Sequence, residues 1–364
     1  MPRLSNSPAE QVRRHSREQG GKDTCPAPLL IPTGSTLLDL ALTDGVNGGW
    51  CTGKVANLIG DSSSGKTILA FTMFAEAVRD PRFKDYRLIY DDTEAANLFD
   101  MTRMFGKATA DRIEAPRYLK GGEAASSETV QEFQMHVMTA LAKGTPFIYV
   151  LDSLDALTSS EEQKLAKEAN KATEAGKEIK GSYGMNKAKK LSEILRLIVR
   201  DISKTKSFIL IISQTRDNID PMSFEKRVRA GGKALKFYCT YEVWLALVGK
   251  IKNDQWKKTI GNNVRAKATK NKLTGKVREI EFSVYYDIGV DDIGSCIDWL
   301  REENFWTGSN AKLDTQGFCD SMSRDKIIKW VENNNKEEEL REFVRLAWEE
   351  SEAALKLDRK RRYV

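Results

Sequence analysis

One segment of the sequence, residues 60–67, constrains the fold and chemistry of this chain more than any other. It reads Gly-Asp-Ser-Ser-Ser-Gly-Lys-Thr and fits the pattern G-x-x-x-x-G-K-[ST]. An apolar run at 55–59 precedes it and an amphipathic stretch at 68–78 follows it, which is the strand, loop and helix order that the motif requires. The glycines let backbone N–H groups curl around phosphates, and the following helix offers its positive end. The chain is therefore predicted to bind a nucleotide.

The phosphate site is expected to use every residue of this loop, which we call the P-loop. Its members are Gly60, Asp61, Ser62, Ser63, Ser64, Gly65, Lys66 and Thr67. Lys66 is predicted to reach the β and γ oxygens and to act in catalysis, and the Thr67 hydroxyl is predicted to bind Mg²⁺. ATP and Mg²⁺ are therefore the cofactors that the loop implies.

Three other apolar runs end in polar residues that suit the same site. Asp152 closes the run that begins at Phe147, where a P-loop enzyme needs an acid for its Mg²⁺. Glu94 follows a second run and is a candidate to orient an attacking water, and Gln214 follows a third and is a candidate to sense a γ-phosphate. Ligands of open α/β sheets collect at this carboxyl edge. Spacing alone leaves alternatives open: a capping or solvated aspartate, a glutamate that complements a helix dipole, and a solvated glutamine.

The distribution of apolar runs predicts an α/β fold. Four runs are nearly continuous in apolar residues, as expected for parallel strands with helices on both faces: 55–59, 87–90, 147–151 and 208–212. Three later runs alternate more and predict an antiparallel extension, with a turn at 273–276: 242–247, 264–269 and 279–285. Near the end of the chain, apolar residues at helical spacing predict a small helical domain.

We therefore divide the chain into three parts. Residues 1–30 form a polar, basic arm, residues 31–290 the α/β core, and residues 291–364 a small C-terminal domain with a basic tail. A stretch at 161–180 is dominated by Ala, Glu and Lys, and its composition fits either a solvated helix or a mobile loop.

Composition excludes several other classes of protein. Hydrophobic residues make up 40% and charged residues 30% of the chain, which argues against wholesale disorder. No apolar run approaches the roughly 20 residues of a membrane span, and no N-terminal apolar leader is present, so we expect a cytoplasmic protein without a membrane partner. The five cysteines are widely spaced and there are two histidines, which argues against a zinc site and a disulfide framework. The net charge of +6 is compatible with a polyanionic partner.

The four strand ends, in this order, resemble the ATPase core of the bacterial RecA recombinase family. Three further stretches sharpen the resemblance. Residues 31–42 are similar to the family's segment before the P-loop, residues 231–238 (Gly-Gly-Lys-Ala-Leu-Lys-Phe-Tyr) to its segment after the second DNA-binding loop, and residues 270–272 to its Lys-Asn-Lys. Together they cover roughly residues 30–305. The resemblance implies a RecA-like P-loop NTPase core.

The resemblance also implies roles for the strand-end residues. Glu94 matches the family's catalytic glutamate, and Gln214 matches its γ-phosphate sensor. Lys66, Thr67 and Asp152 keep the roles argued above.

Four more residues take roles from the family's oligomer. Lys270 and Lys272 match a pair that reaches the nucleotide of a neighbouring subunit, so we add them to the cofactor-binding residues. Lys236 and Phe237 are assigned to the interface, where the family's aromatic couples ATP to DNA binding. The resemblance therefore implies a homo-oligomer, expected as a helical filament, with ATP between subunits.

Charge and resemblance together predict the DNA-binding surface. Between residues 216 and 236, six basic residues outnumber three acidic ones, and basic side chains hold phosphates while apolar ones support bases. A solvated, mobile loop is the alternative. We assign to DNA the residues Arg216, Lys226, Arg227, Arg229, Gly231 and Gly232, together with Met185, Lys189 and Arg196 from the stretch that corresponds to the family's first DNA loop.

Four features depart from the family's pattern. Glu242 stands where the family usually has a basic residue, and the 161–180 stretch makes the first DNA-loop region longer and more charged. The N-terminal arm is short, and the chain ends in a basic tail at 359–362 where the bacterial proteins typically end in an acidic one. These departures suggest a divergent member of the family, with a phage genome as one source.

The predicted function is that of an ATP-dependent recombinase that binds single-stranded DNA as a filament and promotes homologous pairing and strand exchange in recombination and repair. Its partners are then single- and double-stranded DNA, copies of itself, and loader or single-strand-binding proteins, in the cytoplasm at the nucleoid. Two alternatives stay open. One is a RecA-fold translocase or helicase, against which the sequence at 231–238 argues. The other is a nucleotide-binding regulator with little catalysis, which Glu242 and the short arm favour.

Overall fold

A computed structural model describes residues 28–117, 125–164, 185–217, 227–229 and 232–360. Most of the predicted N-terminal arm and the 165–180 part of the charged stretch lie outside the described residues, as do Lys226 and Gly231. Within the described part of the chain, no helix is long and apolar enough to cross a membrane.

Among the described residues, the core is a ten-stranded sheet accompanied by a two-stranded sheet and a small hairpin. The two-stranded sheet pairs β1 (Leu30–Ile31) with β2 (Trp50–Cys51). The large sheet contains β3 (Lys54–Gly60), β4 (Arg87–Asp92), β5 (Ile113–Glu114), β6 (Phe147–Asp152), β7 (Phe208–Asp217), β8 (Arg227–Arg229), β9 (Tyr241–Lys252), β10 (Thr259–Asn271), β11 (Arg278–Tyr285) and β12 (Gly289–Asp291). The last hairpin pairs β13 (Thr307–Ser309) with β14 (Lys312–Asp314).

The order of strands across the large sheet is β12-β11-β10-β9-β3-β7-β6-β4-β5, and β8 pairs with β7 beside this path. All neighbours from β9 to β5 are parallel, whereas β9, β10, β11 and β12 are mutually antiparallel. A turn at 272–277 joins β10 to β11. The predicted α/β class, with a mostly parallel central sheet and an antiparallel extension, is confirmed.

Ten helices surround the sheet among the described residues. They are α1 (Thr36–Thr43), α2 (Lys66–Arg79), α3 (Met101–Phe105), α4 (Lys107–Arg112), α5 (Val130–Ala142), α6 (Met185–Thr205), α7 (Gly232–Tyr238), α8 (Asp292–Glu302), α9 (Arg324–Asn333) and α10 (Glu337–Ala354), with a 3₁₀ turn at Pro81–Phe83. A capping box begins α5, because the Thr129 side chain accepts from the Glu132 backbone N–H at 3.2 Å and the Glu132 carboxylate accepts from the Thr129 N–H at 2.9 Å.

Apolar side chains bury both faces of the sheet. Successive residues of one strand point to opposite faces, and Val55 and Ala56 of β3 accordingly belong to two separate clusters. The cluster that contains Ala56 includes apolar residues of α2, and the cluster that contains Val55 includes those of α5 and α6. Polar groups of the central strands are therefore confined largely to the strand ends.

The C-terminal helices share the first of these clusters. Trp306, Val331 and Val344 are buried in the same contiguous set as residues of α1 and α2. The helices after residue 291 thus pack directly on the α/β core, and the domain boundary after residue 290 stays a prediction.

A polar junction fastens this region to α1. The Asp292 carboxylate accepts from the Thr36 backbone N–H at 2.6 Å and from the Thr36 hydroxyl at 2.7 Å. Arg341 of α10 donates to the same carboxylate at 3.3 Å. The Asp292 carboxylate therefore accepts hydrogen bonds at the start of α1 and also pairs with the Arg341 guanidinium of α10.

We expect Asp292→Ala to lower the free energy of unfolding by about 3 kcal/mol, because it leaves the Thr36 donors and the Arg341 guanidinium without their acceptor. Chemical denaturation of the purified protein measures the change. Asp287→Ala, which removes an exposed carboxylate from the turn before β12, is the matched control. Equal stability of the two variants would contradict the role given to Asp292.

Candidate functional site

The carboxyl ends of the parallel strands bring the predicted site residues to one edge of the sheet. Gly60 at the end of β3 lies opposite Gln214 on β7, and Asp92 at the end of β4 lies opposite Asp152 on β6. The P-loop follows β3, and Glu94 follows β4 by two residues. The residues predicted from separate runs of the sequence therefore meet.

The P-loop needs glycine at two positions for different reasons. Gly65 has a φ of +87°, a left-handed conformation that side chains disfavour. A Cβ on Gly60 would lie 2.6 Å from the Leu245 carbonyl oxygen, so the loop leaves β3 by passing close to β9. Gly65 also caps α2 without a side-chain hydrogen bond, which leaves the first N–H groups of the helix available to an anion.

Lys66 folds back over its own loop. Its side chain is largely buried, and Nζ donates to the carbonyl oxygens of Gly60 at 2.9 Å and Asp61 at 2.6 Å. Burial lowers the pKa of Lys66, while the nearby Asp152 and Glu94 carboxylates oppose that shift. The ammonium group therefore lies at the inner wall of the loop, among the acids of the neighbouring strand ends.

Thr67 and Asp152 form the pair expected for a metal ion. The Thr67 hydroxyl donates to Asp152 Oδ2 at 2.7 Å, and the Tyr90 hydroxyl donates to the same oxygen at 3.0 Å. Burial raises the pKa of Asp152, and the two hydroxyl donors act against this. Hydroxyl and carboxylate oxygens are ligands that Mg²⁺ accepts.

The donor set also fits the way in which Mg²⁺ is usually held. Among the described residues no group of three or more His, Cys, Asp or Glu side chains could hold a metal by itself. Mg²⁺ typically uses one or two protein oxygens, substrate phosphates and water. Thr67 and Asp152 beside a phosphate-binding loop meet that requirement.

Glu94 and Gln214 are in direct contact. Glu94 Oε1 accepts from Gln214 Nε2 at 3.0 Å and from the Ser153 hydroxyl at 2.5 Å. The Gln214 backbone N–H in turn donates to Asp155 Oδ2 at 2.7 Å. The two predicted catalytic side chains are therefore joined, and both are tied to the segment that follows β6.

A second link joins the P-loop to the start of the predicted DNA-binding segment. The Thr215 hydroxyl donates to Asp61 Oδ1. Thr215 also lies opposite Arg229 in the antiparallel pairing of β7 with β8. Thr215 of β7 therefore connects the P-loop to the basic β7-β8 pair.

A cavity of about 430 Å³ opens beside the P-loop. Residues 63–68 form one side, and the remaining lining is mostly apolar or aromatic: Phe99, Met104, Asn262, Val264, Val284, Tyr285 and Tyr286. The sequence analysis assigned none of these residues. The local sequence offered one sign of this cavity, the adjacent Tyr285 and Tyr286 where β11 ends. Only the order of strands in the sheet brings these tyrosines to the P-loop.

Lys270 and Lys272 lie away from this cluster. Lys270 lies opposite Glu242, near the start of β9. Because β9 runs parallel to β3, this position is remote from the P-loop, which follows the carboxyl end of β3. Both ammonium groups donate to carbonyl oxygens at the end of α7, Lys270 to that of Lys236 and Lys272 to that of Phe237 at 3.1 Å. Within one subunit, these lysines therefore hold α7 and do not contact the P-loop.

The remaining predicted interface and DNA residues that are described fall on four elements, α6, α7, β7 and β8. Phe237 is exposed at the end of α7, with 70% of its surface accessible, and Lys236 is exposed beside it. Lys189 and Arg196 are exposed on α6, which begins at Met185. The others that are described lie in the β7-β8 pair or open α7: Arg216, Arg227, Arg229 and Gly232.

Comparison with known proteins identifies relatives for most of the chain. A family model described as the RecA N-terminal domain matches residues 126–291. Protein RecA of Syntrophobacter fumaroxidans is 32% identical over 310 residues, which cover 84% of this chain and 78% of that protein. Protein RecA 2 of Myxococcus xanthus is 28% identical over 302 residues, covering 83% and 75%. Protein RecA of Geobacter sulfurreducens is 28% identical over 320 residues, covering 86% and 82%.

The matched region contains β6, β7 and β10, which carry Asp152, Gln214 and Lys270, and the turn after β10, which carries Lys272. The longer alignments to the RecA proteins cover more than four-fifths of the chain at about 30% identity. This chain is a member of the RecA family of recombinases.

Proposed function

We propose that this RecA-type recombinase hydrolyses ATP, assembles on single-stranded DNA as a helical filament, and promotes homologous pairing and strand exchange with double-stranded DNA. The observation that carries the proposal is the group of hydrogen bonds at one sheet edge. Thr67 is bonded to Asp152, Glu94 is bonded to Ser153 and Gln214, and Asp61 is bonded to Thr215 at the basic β7-β8 pair.

ATP phosphates would bind to the backbone N–H groups of the P-loop. Lys66 would then exchange its contacts with the Gly60 and Asp61 carbonyl oxygens for contacts with the β and γ oxygens of ATP. Thr67 and Asp152 would hold Mg²⁺, which supplies positive charge to the phosphates when it is bound. The protein's main contribution is thus position and electrostatic stabilisation.

In this proposal Glu94 orients a water and takes its proton, and Gln214 reports on the phosphate. The Gln214 side-chain amide donates a hydrogen bond to the Glu94 carboxylate. A γ-phosphate that attracts the Gln214 amide would release Glu94 and pull on the strand that continues into Thr215. Nucleotide state would thereby reach the DNA-binding pair β7-β8.

We expect Glu94→Gln to slow ATP turnover by about a hundredfold or more, because the amide cannot accept the proton. Binding of ATP and of single-stranded DNA should be retained, since the side chain keeps its shape. Steady-state hydrolysis and equilibrium binding on the same preparation measure both. Glu303→Gln, at an exposed position after α8, is the control, and unchanged turnover would remove Glu94 from this role.

The cavity beside the P-loop has a volume and a lining that suit a nucleobase. Its aromatic and aliphatic walls suit a flat ring, and it adjoins the phosphate loop directly. Phe99 also packs against Phe71 of α2, with ring centroids 6.3 Å apart, so its ring is supported from behind. We therefore assign the base of ATP to this cavity.

Phe99→Ala should raise the KM for ATP about fivefold and leave kcat unchanged, because it removes binding that is equal in the ground and transition states. Leu98→Ala is the matched control, since Leu98 is adjacent and 95% exposed. Saturation curves for hydrolysis distinguish the two variants. A fall in kcat at unchanged KM would place the base elsewhere.

The predicted DNA surface is best tested through its charge. Replacing Arg227 and Arg229 together by Ala should weaken binding to single-stranded DNA, and the slope of log K against log salt should fall by about 1.4 for two lost phosphate contacts. Lys84→Ala with Lys143→Ala removes equal charge from exposed positions before β4 and β6, at the opposite edge of the sheet. Equal slopes for the two double variants would locate the DNA site elsewhere.

Assembly and cellular location complete the proposal. Lys270, Lys272, Lys236 and Phe237 form one exposed or partly exposed group at the end of α7, which suits contact with a neighbouring subunit and its nucleotide. We propose that the protein works in the cytoplasm at the nucleoid, with loader or single-strand-binding proteins. Hydrolysis with and without single-stranded DNA, combined with electron microscopy, tests the assembly. Stimulated turnover with helical filaments is expected, whereas rings would indicate a translocase and DNA binding without turnover a regulator.

A further inference from the structure

A short turn that follows β6 lies beside the nucleotide site. Strands β6 and β7 stop pairing after Leu151. The chain then turns at residues 153–157, which we call the β6 turn, and the Leu154 N–H donates to the Ile212 carbonyl oxygen at 2.9 Å. Leu154 and Leu157 are buried in the apolar cluster that also contains residues of α5 and α6. The β6 turn is therefore anchored by its apolar side chains, which leaves its polar groups to bond with their neighbours.

The Asp155 carboxylate supplies an acceptor where the pairing of β6 with β7 has ended. Gln214 of β7 lies opposite Gly60 of β3, and its backbone N–H donates to Asp155 Oδ2 at 2.7 Å. Asp155 is half-buried, and a hydrogen bond to a charged acceptor is stronger than one to a neutral acceptor. The backbone of the proposed γ-phosphate sensor is thus held by one side chain of the β6 turn.

The same turn holds the proposed catalytic carboxylate. The Ser153 hydroxyl donates to Glu94 Oε1 at 2.5 Å. The Thr93 hydroxyl, one residue before Glu94, donates to the Ser153 carbonyl oxygen at 2.7 Å. A shift of the β6 turn would therefore displace Glu94 and Gln214 together.

Lys187 connects the β6 turn to the start of α6. Its Nζ donates to the carbonyl oxygens of Leu154 at 2.7 Å and Asp155 at 3.3 Å. Lys187 precedes the buried Leu191 by four residues, so it lies one helical turn earlier on the apolar face of α6. Its side chain is half-buried, whereas Lys189 is exposed. The start of α6 therefore directs one lysine to the β6 turn and another to the surface.

These contacts form one path from the first predicted DNA-binding segment to the proposed γ-phosphate sensor. Helix α6 begins at Met185, in the stretch assigned to the first DNA loop. From there the path passes through Lys187 and the β6 turn, and Asp155 links the turn to the backbone of Gln214. It is separate from the β7-β8 pair, which begins beyond Gln214.

We infer that Asp155 and Lys187 are positioning residues that couple the first DNA-binding segment to ATP hydrolysis. DNA held by the basic residues of α6 would shift the start of that helix, and Lys187 would carry the shift to the β6 turn. Asp155 would then reposition Gln214 while Ser153 repositions Glu94. The inference rests on the proposed function and names contacts by which DNA regulates the nucleotide site.

The ratio of kcat with single-stranded DNA to kcat without it measures this coupling. Turnover of the full chain is followed at saturating ATP, with and without a saturating dT oligonucleotide, so that a general loss of active protein cancels in the ratio. Asp155→Ala and Lys187→Met should each lower the ratio about tenfold, a size typical of coupling between two sites. Methionine retains an unbranched side chain at position 187 and removes the ammonium donor.

Conservative and double variants distinguish positioning from packing. Asp155→Asn should keep most of the stimulation, because the amide oxygen still accepts from the Gln214 N–H. Asp155→Ala combined with Lys187→Met should lower the ratio no further than either change alone, since both interrupt the same path. Asp201→Ala and Lys204→Met are the matched controls and should keep the wild-type ratio, because these residues form an exposed ion pair, 3.2 Å apart, near the other end of α6.

The outcomes separate failure of this coupling from failure of the proposed function. If the oligonucleotide does not stimulate the wild type, both are overturned. If the wild type is stimulated and either Asp155→Ala or Lys187→Met keeps the wild-type ratio, the coupling alone is overturned. Equal losses in the control variants would overturn it as well, since the effect would then belong to α6 in general. Equal losses in Asp155→Asn and Asp155→Ala would overturn the hydrogen bond to Gln214 as the link.

Discussion

Burial of the central sheet on both faces is the constraint on which the rest of this structure depends. The middle strands carry apolar side chains on each face, under α2 on one side and under α5 and α6 on the other. An unpaired polar group inside these layers would be costly. Charged and hydrogen-bonding side chains therefore collect where the strands end, and the parallel arrangement gives the P-loop, Asp152, Glu94 and Gln214 the same edge.

That edge is organised as a network of shared partners. Asp152 accepts from both Thr67 and Tyr90, and Glu94 accepts from both Ser153 and Gln214. Asp152 joins α2 to β4, and Glu94 joins β7 to the segment after β6, so movement of one element changes the hydrogen bonds of its neighbours. Communication between a phosphate and a DNA-binding segment then needs only short shifts of side chains that already touch.

The parts of the molecule outside the parallel sheet depend on it in different ways. The C-terminal helices share its apolar cluster and are fastened through Asp292, so they are continuous with the core. The β9-β10 hairpin is anchored by β3 and β11 at its base and is free of the sheet at its tip. The first arrangement makes the C-terminal helices part of the core, and the second leaves the turn at 253–258, with the exposed Trp256, away from it.

Local patterns in the sequence determined the phosphate loop, the parallel strands and the roles expected of Lys66, Thr67 and Asp152, because a motif and its flanking strand and helix lie within a few residues of each other. Glu94 and Gln214 became candidates because each comes within a few residues of the end of an apolar run, and the resemblance to the RecA family supplied their expected roles. Their mutual hydrogen bond joins residues 120 positions apart, and only strand order could decide it. The same holds for the cavity at Phe99 and Tyr285, for the position of Lys270 and Lys272 at the other end of the strands, and for the projection of Trp256, because the order and registry of strands are long-range properties that no single segment specifies.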